Sequence, residues 1–281
     1  MIRRTIAGCI VAMVIGGFYS AADAANYLEL ITRRDDDQVF PGNPYSLEIN
    51  MHLDAPGVTG VSVSNPGGGF LLNDGGSGDW STPVVGLPNL ATLIAASNGS
   101  WLFNVTHAGG IATLGFNLNS SGLTDAFFPL LPTNLNPAHG DTGVPLNTNF
   151  SWFNPNASPI DVLTTRVAGN SGNQEDNSKV GSLNVSDTIW NPPLDIEAGG
   201  NEFSVGFYLY GIPSLITGLQ SGGDSPLIWG NSPFASNDWP AGLPMLVLGA
   251  ETTIAFNNAI PEPSSLGLLA LAGLTMLRRK A

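Results

Sequence analysis

The stretch Tyr45-Ser46-Leu47-Glu48-Ile49-Asn50-Met51-His52-Leu53 alternates apolar and polar residues without a break. Successive side chains of a strand point to opposite faces, so this pattern predicts a half-buried β-strand. The same period of two recurs at Trp101-Phe103-Val105, at Phe203-Val205-Phe207-Leu209 and at Thr252-Ile254-Phe256. No stretch of the body sustains a 3.6-residue period for three turns. Turn-forming clusters punctuate the chain, among them Asn65-Pro66-Gly67-Gly68-Gly69, Ala198-Gly199-Gly200-Asn201 and Ser221-Gly222-Gly223-Asp224. Many short strands with such separators predict an all-β protein built of two antiparallel β-sandwich domains, residues 25–131 and 132–258.

Composition agrees with a globular body. Hydrophobic residues make up 43% of the 281, enough for a core, while charged residues are only 11% against about 25% in ordinary soluble domains. The formal charge of −13 excludes the basic footprint that nucleic acid requires.

The two ends read as addresses. Residues 1–24 carry a basic start (Arg3, Arg4), an apolar run from Ile6 to Phe18 and the small residues Ala22-Asp23-Ala24. This predicts a secretory signal peptide cleaved by signal peptidase between Ala24 and Ala25. The only cysteine, Cys9, leaves with it, so neither a disulfide nor a thiolate nucleophile is available to the mature body. At the other end come Pro261-Glu262-Pro263, an apolar run from Leu266 to Leu277 and the basic stop Arg278-Arg279-Lys280. Twelve helical residues span about 18 Å, short of the roughly 30 Å hydrocarbon layer, so the run is marginal as a permanent anchor. It suffices for transient residence in the inner membrane with the basic end held in the cytoplasm. The two prolines keep the preceding segment extended and out of both helix and sheet, exposed to a peptidase.

Residues 259–281 resemble the PEP-CTERM sorting segment of bacterial exosortase substrates, on the strength of Pro261-Glu262-Pro263, the short hydrophobic helix and Arg278-Arg279. The resemblance implies export, processing by an exosortase-type membrane peptidase, and residence at the cell surface or in an extracellular polysaccharide matrix. Removing both ends lowers the basic residues from 9 to 4 and the acidic ones from 22 to 20. The body then carries about −16, which favours neutral glycans or calcium over anionic polymers as partners.

Within the body, Pro129-Leu130-Leu131-Pro132 marks a boundary. Beyond it, Pro137-Ala138-His139-Gly140-Asp141-Thr142-Gly143-Val144-Pro145 followed by Phe150-Ser151-Trp152 resembles the opening of bacterial Ig-like and fibronectin type III modules. The resemblance implies a core role for Trp152, with Phe203 standing where those modules usually have a tyrosine corner. In the first half, Val58–Val63, Phe70–Leu72, Asn89–Ala96, Ser100–Val105 and Ile111–Leu118 read as strands of the other sandwich. Gly211–Leu243 is long for a connection and predicts extra strands or an elaborated loop.

Chemistry-bearing motifs are scarce. His52, His107 and His139 have no partner at metal spacing. Gly223-Asp224-Ser225-Pro226 lacks the glycines that would shape an oxyanion hole and reads as a turn. Asn73-Asp74-Gly75-Gly76-Ser77-Gly78-Asp79 makes Asp74 and Asp79 the candidate ligands for calcium, the only ion the sequence suggests. Arg33-Arg34-Asp35-Asp36-Asp37 holds its own counter-charges and reads as a solvated turn. Trp190, Trp229 and Trp239 lie beside Asn, Gly or Pro and are the candidate sugar-stacking residues. These features predict no enzyme and no resident cofactor, but an exported envelope or matrix protein with a structural or adhesive role. A carbohydrate-binding module, with calcium as its candidate ion, is the alternative.

Overall fold

The computed structural model describes residues 26–258 except 66–67, 170–171, 180, 195, 197, 233–238 and 241. The expected signal peptide, with its Ala24/Ala25 junction, and the expected sorting segment lie outside the described residues. In chain order the first half holds β1 (Tyr27–Asp37), β2 (Tyr45–His52), β3 (Gly60–Asn65), β4 (Gly68–Leu71), β5 (Asn73–Gly76), β6 (Asp79–Ser81), β7 (Val85–Leu87), α1 (Leu90–Ser97), β8 (Gly99–His107) and β9 (Gly110–Leu118). The second half holds β10 (Thr133–Asn136), β11 (Phe150–Phe153), β12 (Val162–Gly169), β13 (Gly172–Asn177), β14 (Ile189–Trp190), β15 (Gly200–Tyr210), β16 (Ile216–Gly223) and β17 (Met245–Asn257). Among the described residues 53% lie in strands and 6% in helices, so the all-β reading stands.

β1 and β17 pair in parallel in the middle of the largest sheet, from Glu29 opposite Met245 to Asp37 opposite Thr253. Parallel strands are stable where both faces are covered, and they then lose the apolar-polar alternation. Tyr27 to Arg33 and Met245 to Ala250 are indeed buried at every position. The sheet runs β13-β12-β15-β17-β1-β2-β6-β5, with β7 also paired to β2. Strands from both halves of the chain therefore share one curled sheet across residues 131–132, where the sequence suggests a division, and the antiparallel expectation fails at the central pair.

Two cores lie against this sheet. In the first, Leu28 and Leu30 of β1, Ile49 and Met51 of β2 and Leu246 and Leu248 of β17 face Trp101, Phe103, Leu114 and Phe116. Those aromatics stand on a five-stranded sheet, β16-β9-β8-β3-β4. In the second, Phe203, Val205 and Phe207 of β15 and Ile254 and Phe256 of β17 meet Phe150, Trp152 and Trp190, from the three-stranded sheet β10-β11-β14. β17 thus contributes alternate residues of one face to both cores. Thr252 stands between them, its hydroxyl donating to the Pro132 carbonyl at 2.7 Å. Trp152 and Phe203 are core residues, their rings 6.4 Å apart.

Two local expectations change. Asn89–Ala96 is not a strand: the Asn89 side chain accepts from the Thr92 amide and caps α1, whose Leu90, Leu93 and Ala96 reach the first core. Gly211–Leu243 does supply an extra strand, β16, which crosses back to pair with β9 of the first half. Because β17 serves both cores, unfolding is expected as one transition, with far-ultraviolet circular dichroism and tryptophan fluorescence coinciding. Phe203→Ala should lower stability by about 3–5 kcal/mol and shift that whole transition; a separate early transition confined to part of the signal would contradict the shared strand.

Candidate functional site

The sorting segment is joined to the body at Asn258, which is 3% exposed. Its side-chain amide donates to the carbonyls of Val144 and Pro145, both at 3.1 Å. Its side-chain oxygen accepts from Asn201 at 2.6 Å, and its backbone amide donates to Gly199. Asn257 bonds Asp141 and Val144 through its backbone, and His139 Nδ1 accepts from the Ala255 amide. The segment His139–Pro145 and the turn at Gly199–Asn201 thus clamp the end of β17. The far end of the sheet is tied as well. Asn26 forms a parallel bridge with Trp229, its carbonyl accepts from Gly230, and its side chain bonds Ile228 and Asp54. Since β1 and β17 are parallel, with Glu29 opposite Met245, Asn26 and Asn258 stand at opposite poles of the sheet, roughly 50 Å apart measured along the strands at about 3.3 Å per residue.

A cleft of about 490 Å³ opens at the Asn26 pole between Leu53–Val58 and Asp74–Gly78, with Trp80 beneath. Asp74 lines it and accepts from the Gly76 amide at 2.8 Å. Asp79 lies outside the lining and pairs with His52 Nδ1 at 2.7 Å. The glycines here serve the β5–β6 hairpin: Gly78 has φ +87°, and a Cβ on it would stand 2.5 Å from the Leu53 carbonyl oxygen. Among the described residues no group of three or more His, Cys, Asp or Glu side chains gathers as a metal site.

The tryptophans are mostly internal. Trp190 is 3% exposed and packs against Phe150, and Trp239 is 4% exposed and donates to the Leu243 carbonyl. Trp229 is half-buried against the first core. Of the three candidate sugar-stacking residues, Trp190 and Trp239 thus have their rings in the interior, and Trp229 is partly exposed. His107 lies beside Ser225, but its Nε2 bonds the Ser225 carbonyl and its Nδ1 accepts from Gly109. Both ring nitrogens are occupied by backbone, so this histidine does not serve Ser225 as a base.

The concentration of charge lies elsewhere, on the face of β1 opposite the first core. Arg33, read from the sequence as part of a solvated turn, is buried within β1. Its guanidinium meets Glu251 of β17 at 3.1 Å, Glu48 of β2 at 3.3 Å and Asp35 at 3.8 Å. Tyr208 of β15 donates to Glu251 at 3.0 Å. Gly249 makes room for this group: a Cβ there would lie 2.6 Å from the Tyr208 ring and 2.8 Å from the Arg33 stem. Glu29, four residues earlier on the same face of β1, accepts from Ser232. Burial pushes the Glu29 carboxyl up to about 7, with Glu48 and Asp79 adding to the rise against the Ser232 bond. Glu48 also rises to about 7, by burial first, with Arg33 pulling down and Glu251 and Asp35 pushing up. Asp35 rises to about 6 for the same reasons. Groups titrating near neutrality are a mark of acid-base sites, yet Glu48 and Glu29 are 0% and 2% exposed. Their carboxyl groups lie inside the sheet and present no reacting atom to solvent.

The profile of the PEP-CTERM protein-sorting motif matches residues 259–280, directly after the clamped Asn258. The match indicates an exosortase-processed surface protein. No curated protein matches the chain. Among the described residues no helix is long and apolar enough to cross a membrane; the apolar run from Leu266 to Leu277 lies outside them.

A carboxyl that is ordinarily near 4.5 and rises to about 7 on folding binds its proton more tightly in the folded chain. Its stabilising contribution is complete below pH 4.5 and drains away as pH climbs to about 7. The melting temperature is therefore expected to be higher at pH 5 than at pH 8. Glu29→Gln, which keeps the acceptor for Ser232 but abolishes the charge, should raise stability at pH 8 by about 1–3 kcal/mol and leave it nearly unchanged at pH 5. Equal effects at both pH values would refute the buried-proton account.

Proposed function

We propose that this chain is an exported, non-enzymatic structural or adhesive component of a bacterial envelope or extracellular polysaccharide matrix. A signal peptidase releases it after Ala24, and an exosortase-type peptidase processes it near Pro261-Glu262-Pro263. The observation that carries this reading is the sorting-motif match at residues 259–280 on a segment rooted in a buried clamp. A tail that tethers a protein transmits load into the fold, and here it enters β17, paired with β1 and β15 on both sides. Load along a strand is opposed by its flanking hydrogen bonds acting together, which suits a tethered or matrix-borne body. The Asn26 pole, with its cleft and hairpin, faces away from that attachment point.

The carbohydrate-binding alternative loses its main support with Trp190 and Trp239 buried, while for calcium Asp74 lines the cleft and Asp79 is engaged by His52. Intact-mass measurement of the native exported protein tests the proposal. Expected is a species beginning at Ala25 and lacking the apolar run and Arg278-Arg279-Lys280, with Pro261→Ala/Pro263→Ala leaving the tail attached. A wild-type protein recovered with its C-terminus intact at Ala281 would overturn it.

A further inference from the structure

The five-stranded sheet β16-β9-β8-β3-β4 has one face in the first core and an outer face of unusual composition. None of its strand residues is Asp, Glu, Lys or Arg. The chain carries no such residue between Asp54 and Asp74, between Asp79 and Asp125, or between Glu202 and Asp224, the three stretches that build the sheet. This holds in a protein whose net charge is −13. The outward positions alternate with the core ones, as the register requires: Ser62 stands opposite Asn104, and Asn104 opposite Thr113. Among these hydroxyls and amides sit aliphatic side chains in the open, Leu71 at 72% exposure and Leu102, Ile111 and Leu219 at 40–43%.

We propose that this outer face is a self-association surface, occupied by the same face of a second copy of the chain. Charge decides the partner. Acidic copies repel one another, and this face is an extended surface on which they approach without opposing like charges at contact range. Interface centres are depleted of charge and mix apolar anchors with hydrogen-bonding groups, which is the composition found here. The area is sufficient. Five strands about 4.8 Å apart and some 24 Å long give about 600 Å² per copy, or about 1,200 Å² in all, the lower bound of stable specific interfaces. A face meeting its own equivalent forms a closed two-fold dimer, with each copy's sorting-tail attachment on the other sheet and left free. The inference goes beyond the matrix role proposed above and does not depend on exosortase processing.

Sedimentation velocity on the purified exported protein tests it. Expected is a concentration-dependent monomer–dimer equilibrium that tightens as salt is raised, because screening relieves the acidic repulsion. Leu102→Asp/Thr113→Asp, which buries unpaired charge at the centre of the face, should weaken the dimer by at least about 30-fold. Ile228→Asp, an exposed aliphatic residue off this sheet, should leave it unchanged. Circular dichroism confirms that each variant is folded, and Leu102→Asn/Thr113→Asn, neutral at the same positions, should retain most of the association. A protein that stays monomeric at high salt and high concentration would overturn the proposal. So would a dimer indifferent to the Asp pair, or a monomer whose outer face instead retains a neutral polysaccharide in a manner that the Asp pair abolishes.

Discussion

The parallel pairing of β1 with β17 is the constraint on which the rest depends. It joins residues more than two hundred positions apart, an expensive closure that is repaid only when both faces of the pair are buried. One face meets that demand in the first core, and the other is covered by Val162, Tyr208 and Trp239 packing on Ile31, Met245 and Val247. The Arg33 group spans β2, β1, β17 and β15. A slip of one residue would carry Arg33 to the first-core face, so the ion pairs specify register even where their net contribution to stability is small. The body is therefore one sheet with two cores packed against it, held at its centre by the meeting of its two ends.

That arrangement has a functional side. A parallel central pair places the start of β1 and the end of β17 at opposite poles. The polypeptide is tied at each pole by asparagine side chains, Asn26 at one and Asn258 at the other. The sorting motif follows the second tie, so whatever holds the tail holds the central strand. The uncharged sheet lies to the side, apart from the sheet that holds β17, and the charge of the molecule is concentrated elsewhere, much of it in or beside the large sheet.

What the sequence disclosed followed from locality. β2, β8, β15 and the last part of β17 show period two because one face of each is wetter than the other, and the sorting tail is legible because a peptidase reads it as a linear segment. β1 was hidden because burial on both faces removes alternation, and because the partners of Arg33 at Glu48 and Glu251 are distant in sequence, leaving Asp35–Asp37 as its only visible counter-charges. The same locality shaped the reading of Asp74 and Asp79. Glycines that permit a hairpin's positive φ look like those of a ligand loop until Asp79 is found on His52. Trp190 and Trp239 sat beside turn residues, but a turn says nothing about the direction of a ring, and both rings point inward. The absence of charge from the five-stranded sheet was written in the chain throughout; only the topology, which brings β16 back onto β9, gathers those stretches on one face.

The central claim is that β1 and β17 form the last structure to open. Native-state hydrogen exchange tests it directly, since amides in that pair should open only with the whole molecule. The account predicts that amides within Glu29–Arg33 and Met245–Ala250 share one exchange free energy, the highest in the protein and equal to that of global unfolding. Exchange of Glu29–Arg33 through a local opening, while Met245–Ala250 and the second core stay protected, would contradict it.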